Sequence, residues 1–386
     1  MNDLPVGRRV AQWRVRRNMT QQQFADRLGK SKSWVDKVER GVRRLERVSN
    51  LREVAETLRI DVEVLLAARP VQPTPVAAGV DGVRTALARY HLPGADRPPL
   101  VEELRARLEH AEQSYRHARY PALLALLPGL LDAAREAHAT REAHATRPGA
   151  ADALLVSVYA LIALVLVKVD QGELAWLAAD RAMAAALATQ DPQVAGIATV
   201  SLSQALRSRG RRRSALDAAL VAADRIGAHG NSSANVALRG TLLLQAALAA
   251  AGGGDERLAG QSLDQAATIA RDIGPGRAAV EAARVMADAA LGDVTTAMAR
   301  HERLVAGDEW RWLPPEHRAA YLLDVARGYA LAGDMRRAGQ AVLDAERTAR
   351  SEVHDRPTVR KLVAVVWRSA DAPVGLAQLA ATLHAT

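Results

Sequence analysis

The sequence predicts an all-α protein in which a compact N-terminal block of short helices precedes a long array of paired helices. Apolar residues recur three and four positions apart, which is the spacing of one helix face. After residue 98, glycine-marked breaks separate the helical segments and return about every 40 residues. Two-helix units repeated at that length are typical of an α-solenoid.

Positive charge is concentrated in the N-terminal block. The 386 residues include 52 Lys and Arg and 43 Asp and Glu, which gives a net charge of +9. Residues 1–69 alone hold 16 basic and 9 acidic side chains. Clustered basic charge of this kind indicates a nucleic-acid-binding region.

The first two helices are expected before residue 30. A helix over Val6–Trp13 would place its apolar residues on one face. Thr20 and Gln23 form a capping-box pattern, so a second helix should begin at Gln21. Gly29 should end this helix, since glycine readily adopts the left-handed conformation found after a helix.

Three further helices complete the block. Ser31 should cap a third helix that runs through Arg40 and ends at Gly41, and Asn50 should open a fourth. Val62–Leu66 would form a short fifth helix. Two short helices joined by a tight glycine turn form a helix-turn-helix, whose second helix can enter the major groove of DNA.

The N-terminal block resembles the Cro/CI-type (XRE, lambda-repressor-like) DNA-binding domains over about residues 1–66. The resemblance implies a five-helix domain in which the third helix reads DNA. It rests on the spacing of the following residues: Thr20, Gln21, Phe24, Ala25, Leu28, Gly29, Ser31, Ser33, Val35, Val38, Glu39, Gly41, Leu51, Ala55 and Leu58.

Lys32, Ser33 and Lys37 are the predicted base-reading residues. Ser33 and Lys37 share the helix face opposite Val35, and Lys32 lies beside them in the first turn. Lys can donate to guanine O6 and N7, and Ser can bond several base edges. The resemblance implies the same role, because the family reads bases from these positions.

A second set of residues is expected to contact phosphate. Gln21 lies at a helix N-terminus, which suits an anion, and resembles the family's phosphate-contacting glutamine. The other basic candidates lie in the turn, at the end of the third helix and just beyond it. The predicted phosphate contacts are Gln21, Lys30, Arg40, Arg43 and Arg44.

Four more residues of the block have structural interpretations. Arg14 and Glu39 match a family pair that forms an internal ion pair, so both are predicted to be structural. Asp36 would repel phosphate unless it pairs with Lys32 or accepts from a cytosine amine. Trp34 could touch a thymine methyl, but its spacing to Val38 favours packing.

The domain boundaries follow from proline. Residues 1–69 are assigned to the DNA-binding domain and residues 98–386 to the helical array. Prolines cluster between them, beginning at Pro70, Pro73 and Pro75. Because proline blocks helix continuation, residues 70–97 are predicted to be a linker with one short helix near Val80–Tyr90.

The helical array resembles tetratricopeptide repeats. The clearest unit surrounds Gly333, and the one around Gly254 is the next clearest. A residue five positions after each glycine should lie where two helices approach closely. The glycines are Gly172, Gly210, Gly254, Gly292 and Gly333, and the residues at that offset are Leu177, Ala215, Ala259, Ala297 and Ala338.

A solenoid of this size offers a groove for an effector, which could be a peptide, a small molecule or a protein. Packing is the simpler interpretation of each candidate side chain. The candidates are Tyr115, Tyr159, Asn235, Trp310, Trp312 and Tyr321. The arginine-rich run 207–213 should be a solvated turn, with accessory DNA, an acidic ligand or a partner as alternative contacts.

Several classes of protein are disfavoured. The chain has no cysteine, which excludes disulfides, thiolate metal sites and cysteine catalysis. It has no phosphate-binding loop, HExxH motif or nucleophile elbow, so we expect no enzyme activity, cofactor or metal. The apolar run 153–167 is shorter than a membrane span, so we expect a buried core helix and a cytoplasmic protein.

Together these features predict a DNA-binding transcriptional regulator. The expected partners are a double-stranded DNA operator, a second copy of the chain and an effector bound by the repeats. The architecture resembles bacterial peptide-responsive regulators that join such a domain to tetratricopeptide repeats. The alternative is a scaffold whose repeats recruit a protein partner to DNA.

Overall fold

The computed structural model describes residues 6–43, 45, 48–62, 65, 74–89, 100–140, 149–271 and 274–385. All regular secondary structure in these ranges is helical, which confirms the all-α prediction. The chain divides into two compact units, Met1–Thr74 and Pro75–Thr386.

The N-terminal unit contains four described helices around one small core. Its helices are Val6–Arg16 (α1), Gln21–Arg27 (α2), Lys32–Glu39 (α3) and Val48–Leu58 (α4). Phe24 and Leu58 are fully buried at its centre. The predicted fifth helix falls partly outside the described residues, but Leu65 belongs to the same buried cluster.

Local capping fixes the helix-turn-helix as predicted. The Thr20 hydroxyl accepts from the Gln23 backbone N–H, and the Gln23 side chain accepts from the Thr20 N–H, so the capping box is complete. The Ser31 hydroxyl accepts from the Trp34 N–H at 3.1 Å. Gly29 has φ +62°, a left-handed conformation that glycine adopts without strain. One boundary differs, because α4 begins at Val48 and Asn50 therefore lies inside the helix.

The second unit is an array of helices joined by short turns. Its helices are Pro75–Ala88 (α5), Val101–Arg116 (α6), Tyr120–Ala139 (α7), Ala150–Lys168 (α8), Gly172–Thr189 (α9), Pro192–Ser208 (α10), Arg212–His229 (α11), Ser233–Gly252 (α12), Glu256–Ala270 (α13), Gly274–Leu291 (α14), Val294–Ala306 (α15), Pro315–Leu331 (α16), Met335–Thr348 (α17), Arg350–His354 (α18), Pro357–Trp367 (α19) and Gly375–Thr382 (α20). A short 3-10 helix, Asp308–Trp312, precedes α16.

Helix α5 differs from the predicted linker. It forms close to the expected position, but its apolar residues join the core of the second unit. Val83 and Ala86 are fully buried there, and Gly79 packs against Leu124 of α7. Burial of this face explains why the unit begins at Pro75 and not at residue 98.

Helices α8 to α17 form five consecutive pairs, as the repeat pattern predicts. The first helices of the pairs, α8, α10, α12, α14 and α16, each contact the next in this series. Each pair turns through a residue with positive φ, and the alanine five positions later is at most 1% exposed. These alanines let the two helices of a pair approach closely.

In the first pair, the turn residue and the buried alanine lie two positions earlier than predicted. The residue with positive φ in its turn is Asp170, not Gly172, and the buried alanine is therefore Ala175 and not Leu177. Asp tolerates the left-handed conformation better than most residues. Gly172 instead allows close contact with the next turn, since a Cβ there would lie 2.8 Å from Cδ of Arg209.

Among the residues that the structure describes, two helices are long and apolar enough to cross a membrane, α8 and α12. Their most apolar windows are 67% and 50% buried inside the second unit. In α8 this burial agrees with the prediction of a core helix, because its apolar side chains pack against neighbouring helices on several sides.

Candidate nucleic-acid interface

Helix α3 exposes the predicted base-reading residues on one face. Val35 and Val38 are each 1% exposed and point into the domain core. Lys32, Ser33 and Lys37 are exposed. The face thus combines two ammonium groups and a hydroxyl at the spacing of successive helical turns, which suits donation to base edges in a major groove.

An ion pair fixes how α3 sits on α1. Arg14 Nε donates to Glu39 Oε1 at 2.6 Å, and its Nη2 donates to Oε2 at 3.0 Å. This is the pair predicted from the sequence. A third arginine donor bonds the Met19 carbonyl oxygen at 2.7 Å, so the guanidinium also holds the turn before α2.

Gln21 takes part in the same network. Its Nε2 donates to Glu39 Oε2 at 2.8 Å, so one of its two amide hydrogens is already used within the domain. The residue is half-buried at the N-terminus of α2. The sequence predicts a phosphate contact for Gln21, whereas the link to Glu39 has no signal in the sequence because it joins residues 18 positions apart.

The other predicted phosphate contacts lie on the exposed surface. Arg40 is 61% exposed and pairs with Asp36 at 2.6 Å, four residues earlier on α3. The partner of Asp36 is therefore Arg40 and not Lys32, and this pair offsets the repulsion that Asp36 would exert on phosphate. Lys30 lies 3.8 Å from Glu53 in a surface pair.

Arg43 lies beside the aromatic ring of Trp34. Its guanidinium carbon is 6.0 Å from the ring centroid, a cation–π distance. Trp34 is half-buried and packs against the domain core, which agrees with the packing interpretation. Arg44 lies outside the described residues.

The candidate effector residues do not converge on one site. Tyr321 is 1% exposed, and its ring centroid lies 5.4 Å from that of Trp310. Tyr115 Oη donates to Glu316 Oε1 at 3.5 Å, whereas Tyr159 Oη accepts from Arg135 Nε at 3.0 Å. These contacts belong to the interior packing of the second unit.

The remaining two candidates and the arginine run lie elsewhere. Asn235 is 6% exposed, and its Nδ2 donates to the Gly230 carbonyl at 3.2 Å. Trp312 is 52% exposed. In the run, Arg211 lies 5.8 Å from the ring centroid of Trp176 in α9, and Arg213 pairs with Asp217 along α11. The run is not entirely a solvated turn, because Arg207 is half-buried at the end of α10 and donates to Gln245 at 3.1 Å.

Comparisons with known proteins agree with the N-terminal geometry. Residues 5–68 match a family described as "Helix-turn-helix domain". A search of curated protein sequences gives no match.

Several solved structures resemble the chain at low identity. Aspartyl phosphate phosphatase F from Bacillus subtilis is 13% identical, covers 89% of this chain and 93% of its own, and has a TM-score of 0.45. PlcR of Bacillus thuringiensis, solved in complex with the peptide PapR7 and DNA, is 14% identical, covers 80% and 100%, and has a TM-score of 0.30. A mutant form of PrgX is 11% identical, covers 85% and 95%, and has a TM-score of 0.35.

The family match spans the two capped helices, the exposed basic face of α3 and the ion pair that holds α3 on α1. Over residues 5–68, the chain is similar to this helix-turn-helix family.

Proposed function

We propose that this protein is a sequence-specific transcriptional regulator that binds an operator in double-stranded DNA. The observation that carries the proposal is the exposed face of α3, where Lys32, Ser33 and Lys37 stand on a helix whose opposite side is buried. In helix-turn-helix domains this helix enters the major groove and contacts base edges. The protein would act in the cytoplasm, at the nucleoid.

Base reading would fall to Lys32, Ser33 and Lys37, and backbone contacts to residues around them. Arg43 and Lys30 are exposed cations near the two ends of α3. Arg40 would need to leave Asp36 to reach a phosphate, which is a small cost because both side chains are more than a third exposed. Gln21 keeps one amide hydrogen for a phosphate while it bonds Glu39.

The second unit would sense an effector, mediate assembly, or do both. A single helix-turn-helix covers few base pairs, and a two-fold dimer on adjacent major grooves is the common way to extend the site. We therefore propose a homodimer on the operator. Sedimentation of the protein at operator-saturating concentration tests this, and a monomer under those conditions would contradict it.

We propose a peptide or a small molecule as the effector, and no catalytic activity. Stoichiometric co-purification of a protein would instead favour a scaffold that recruits a partner to DNA. Release of operator DNA on addition of a peptide or small molecule would favour the sensor.

Affinity selection of fragmented genomic DNA tests the main proposal. The full-length protein is used at about physiological ionic strength, where non-specific phosphate binding is weakened. We expect enrichment of a few sites that share a motif, with half-sites about one helical turn apart if the protein is a dimer. A flat distribution of fragments, unchanged on addition of cell extract, would contradict sequence-specific binding.

A further inference from the structure

A buried group of charged side chains lies inside the second unit. The Lys168 ammonium contacts the Glu316 carboxylate, and its Nζ lies 3.1 Å from Glu352 Oε1. Arg356 Nη1 donates to Glu352 Oε2 at 2.6 Å. We call Lys168, Glu316, Glu352 and Arg356 the closure cluster.

The closure cluster is enclosed by the protein. Glu352 has no exposed surface, and the side chains of Lys168 and Glu316 are 11% and 12% exposed. Tyr120 donates its hydroxyl to Glu352, and Tyr115 donates to Glu316. The two cations therefore balance the two carboxylates, and each carboxylate also accepts a tyrosine hydroxyl.

The members of this cluster come from opposite ends of the second unit. Lys168 ends α8, and the two tyrosines belong to α6 and α7. Glu316 begins α16, whereas Glu352 and Arg356 lie in and after α18. The bond from Tyr120 to Glu352 joins residues 232 positions apart. In an open solenoid, by contrast, each repeat contacts only its neighbours.

Two other observations show that the ends meet. The Thr358 backbone N–H, at the start of α19, donates to Asp170 Oδ2 at 2.9 Å. Apolar residues from α5 to α10 and from α14 to α20 also belong to a single buried cluster. The middle helices α11 to α13 build two separate clusters instead.

The opposite charges of the closure cluster stabilise one another against burial. Burial alone would raise the pKa of Glu352, but Lys168 and Arg356 together outweigh it and hold the pKa below its ordinary value. Burial likewise opposes the charge on Lys168, and the two glutamates outweigh it, so its pKa lies above its ordinary value. Removing one charge from such a set leaves the others buried and uncompensated.

We propose that the closure cluster holds the repeat array closed end to end, and that its release opens both ends together while the middle repeats stay folded. The inference goes beyond DNA binding and does not depend on it. It makes the second unit a two-state element that a ligand or partner could bias.

Hydrogen exchange on the full-length protein without DNA tests this proposal. Glu352→Gln keeps the size of the side chain and removes its charge. We expect amide exchange in α6, α7, α18 and α19 to accelerate together, by about a hundredfold, with α11 to α13 unchanged. Glu302→Gln is the matched control, since it removes one carboxylate from an exposed inter-helix pair with Arg337. It should leave α6 and α7 unchanged.

Two results would overturn the proposal. Acceleration confined to α18 and α19 would mean that Glu352 stabilises only its own end. Equal acceleration in the middle helices would mean that the unit loosens as a whole.

A disulfide provides a second test that does not touch the closure cluster. The chain has no cysteine, so Asp170→Cys with Thr358→Cys creates a single pair at the other end-to-end contact. Oxidation should slow exchange in α6 and α19 of the otherwise unchanged protein, and should reverse most of the effect of Glu352→Gln. Oxidation without any slowing of exchange would contradict closure of the ends.

Discussion

The backbone of Gly7 lies directly against the carbonyl group of Val38. A Cβ on residue 7 would overlap the carbonyl oxygen, well inside the van der Waals contact distance of the two atoms, and would lie 3.0 Å from the carbonyl carbon. Because both groups are backbone, neither can rotate away. The contact therefore sets the distance between α1 and α3, the helix that carries the proposed base-reading face.

Gly7→Ala should destabilise the N-terminal unit. Alanine favours a helix by about 1 kcal/mol over glycine, but overpacking against a backbone carbonyl should cost about 3 kcal/mol, so the net loss is about 2 kcal/mol. Hydrogen exchange of α1 and α3 in the full-length protein would measure the loss. Gly260→Ala is the matched control, because a Cβ at this position of α13 meets no neighbouring atom. Unchanged exchange in α3 would show that the two helices can separate without cost.

The helix-turn-helix could be predicted in detail because its determinants are local. The Thr20–Gln23 box, the Ser31 cap and Gly29 each act within a few residues. The closure cluster could not be predicted. In the sequence, Glu352 cannot be distinguished from a surface carboxylate on a helix. Its burial depends on Tyr120 and Lys168, which are distant in sequence.

The first repeat shows a second limit of sequence reasoning. Glycine is the usual marker of a left-handed turn residue, so the sequence pattern predicts Gly172 as the turn residue. The backbone instead places Asp170 at φ +57°, and its carboxylate bonds Thr358 at the other end of the array. The left-handed position is therefore occupied by Asp170, a polar residue with a distant partner, and not by the glycine that local conformation favours.

Lys37→Ala should flatten the discrimination between operator and random DNA. A lysine that donates to a base edge contributes to the specific site and little to non-specific binding, so the expected loss is about 1–3 kcal/mol at the operator alone. Alanine is a good helix former, and Lys37 is exposed, so α3 should remain folded. Titration of both DNAs at one salt concentration measures the effect. An intact operator preference would mean that another face of α3 reads the bases.

Arg43→Ala should weaken binding to operator and random DNA by about the same factor. A phosphate contact carries no sequence information, and its loss should lower the slope of log K against log salt by about 0.9. Affinities measured over a range of salt concentrations would give this slope. Arg257→Ala, at an exposed position of α13 in the second unit, is the matched control and should leave the slope unchanged. A loss of affinity at the operator only would move Arg43 to the base-reading set.

Acid should destabilise the second unit through two histidines, the buried His301 and the half-buried His317. His301 is 8% exposed, its Nδ1 lies 3.1 Å from Tyr321 Oη, and burial lowers its pKa below the ordinary value. Burial also lowers the pKa of His317. The unfolded chain therefore binds protons that the folded one does not, so stability present above about pH 6.5 is lost as the pH falls below that value.

Urea unfolding between about pH 7 and 5 would measure this loss. Each buried histidine adds at most about 1.4 kcal/mol per pH unit to the slope of unfolding free energy against pH. His301→Gln should remove one such contribution and leave that of His317, while retaining a group that can bond Tyr321. His110→Gln, at an exposed position of α6, is the matched control for loss of one histidine. Equal slopes for the wild type and His301→Gln would contradict this prediction. They would mean that His301 binds its proton over the same pH range in the folded and the unfolded chain, despite its contact with Tyr321.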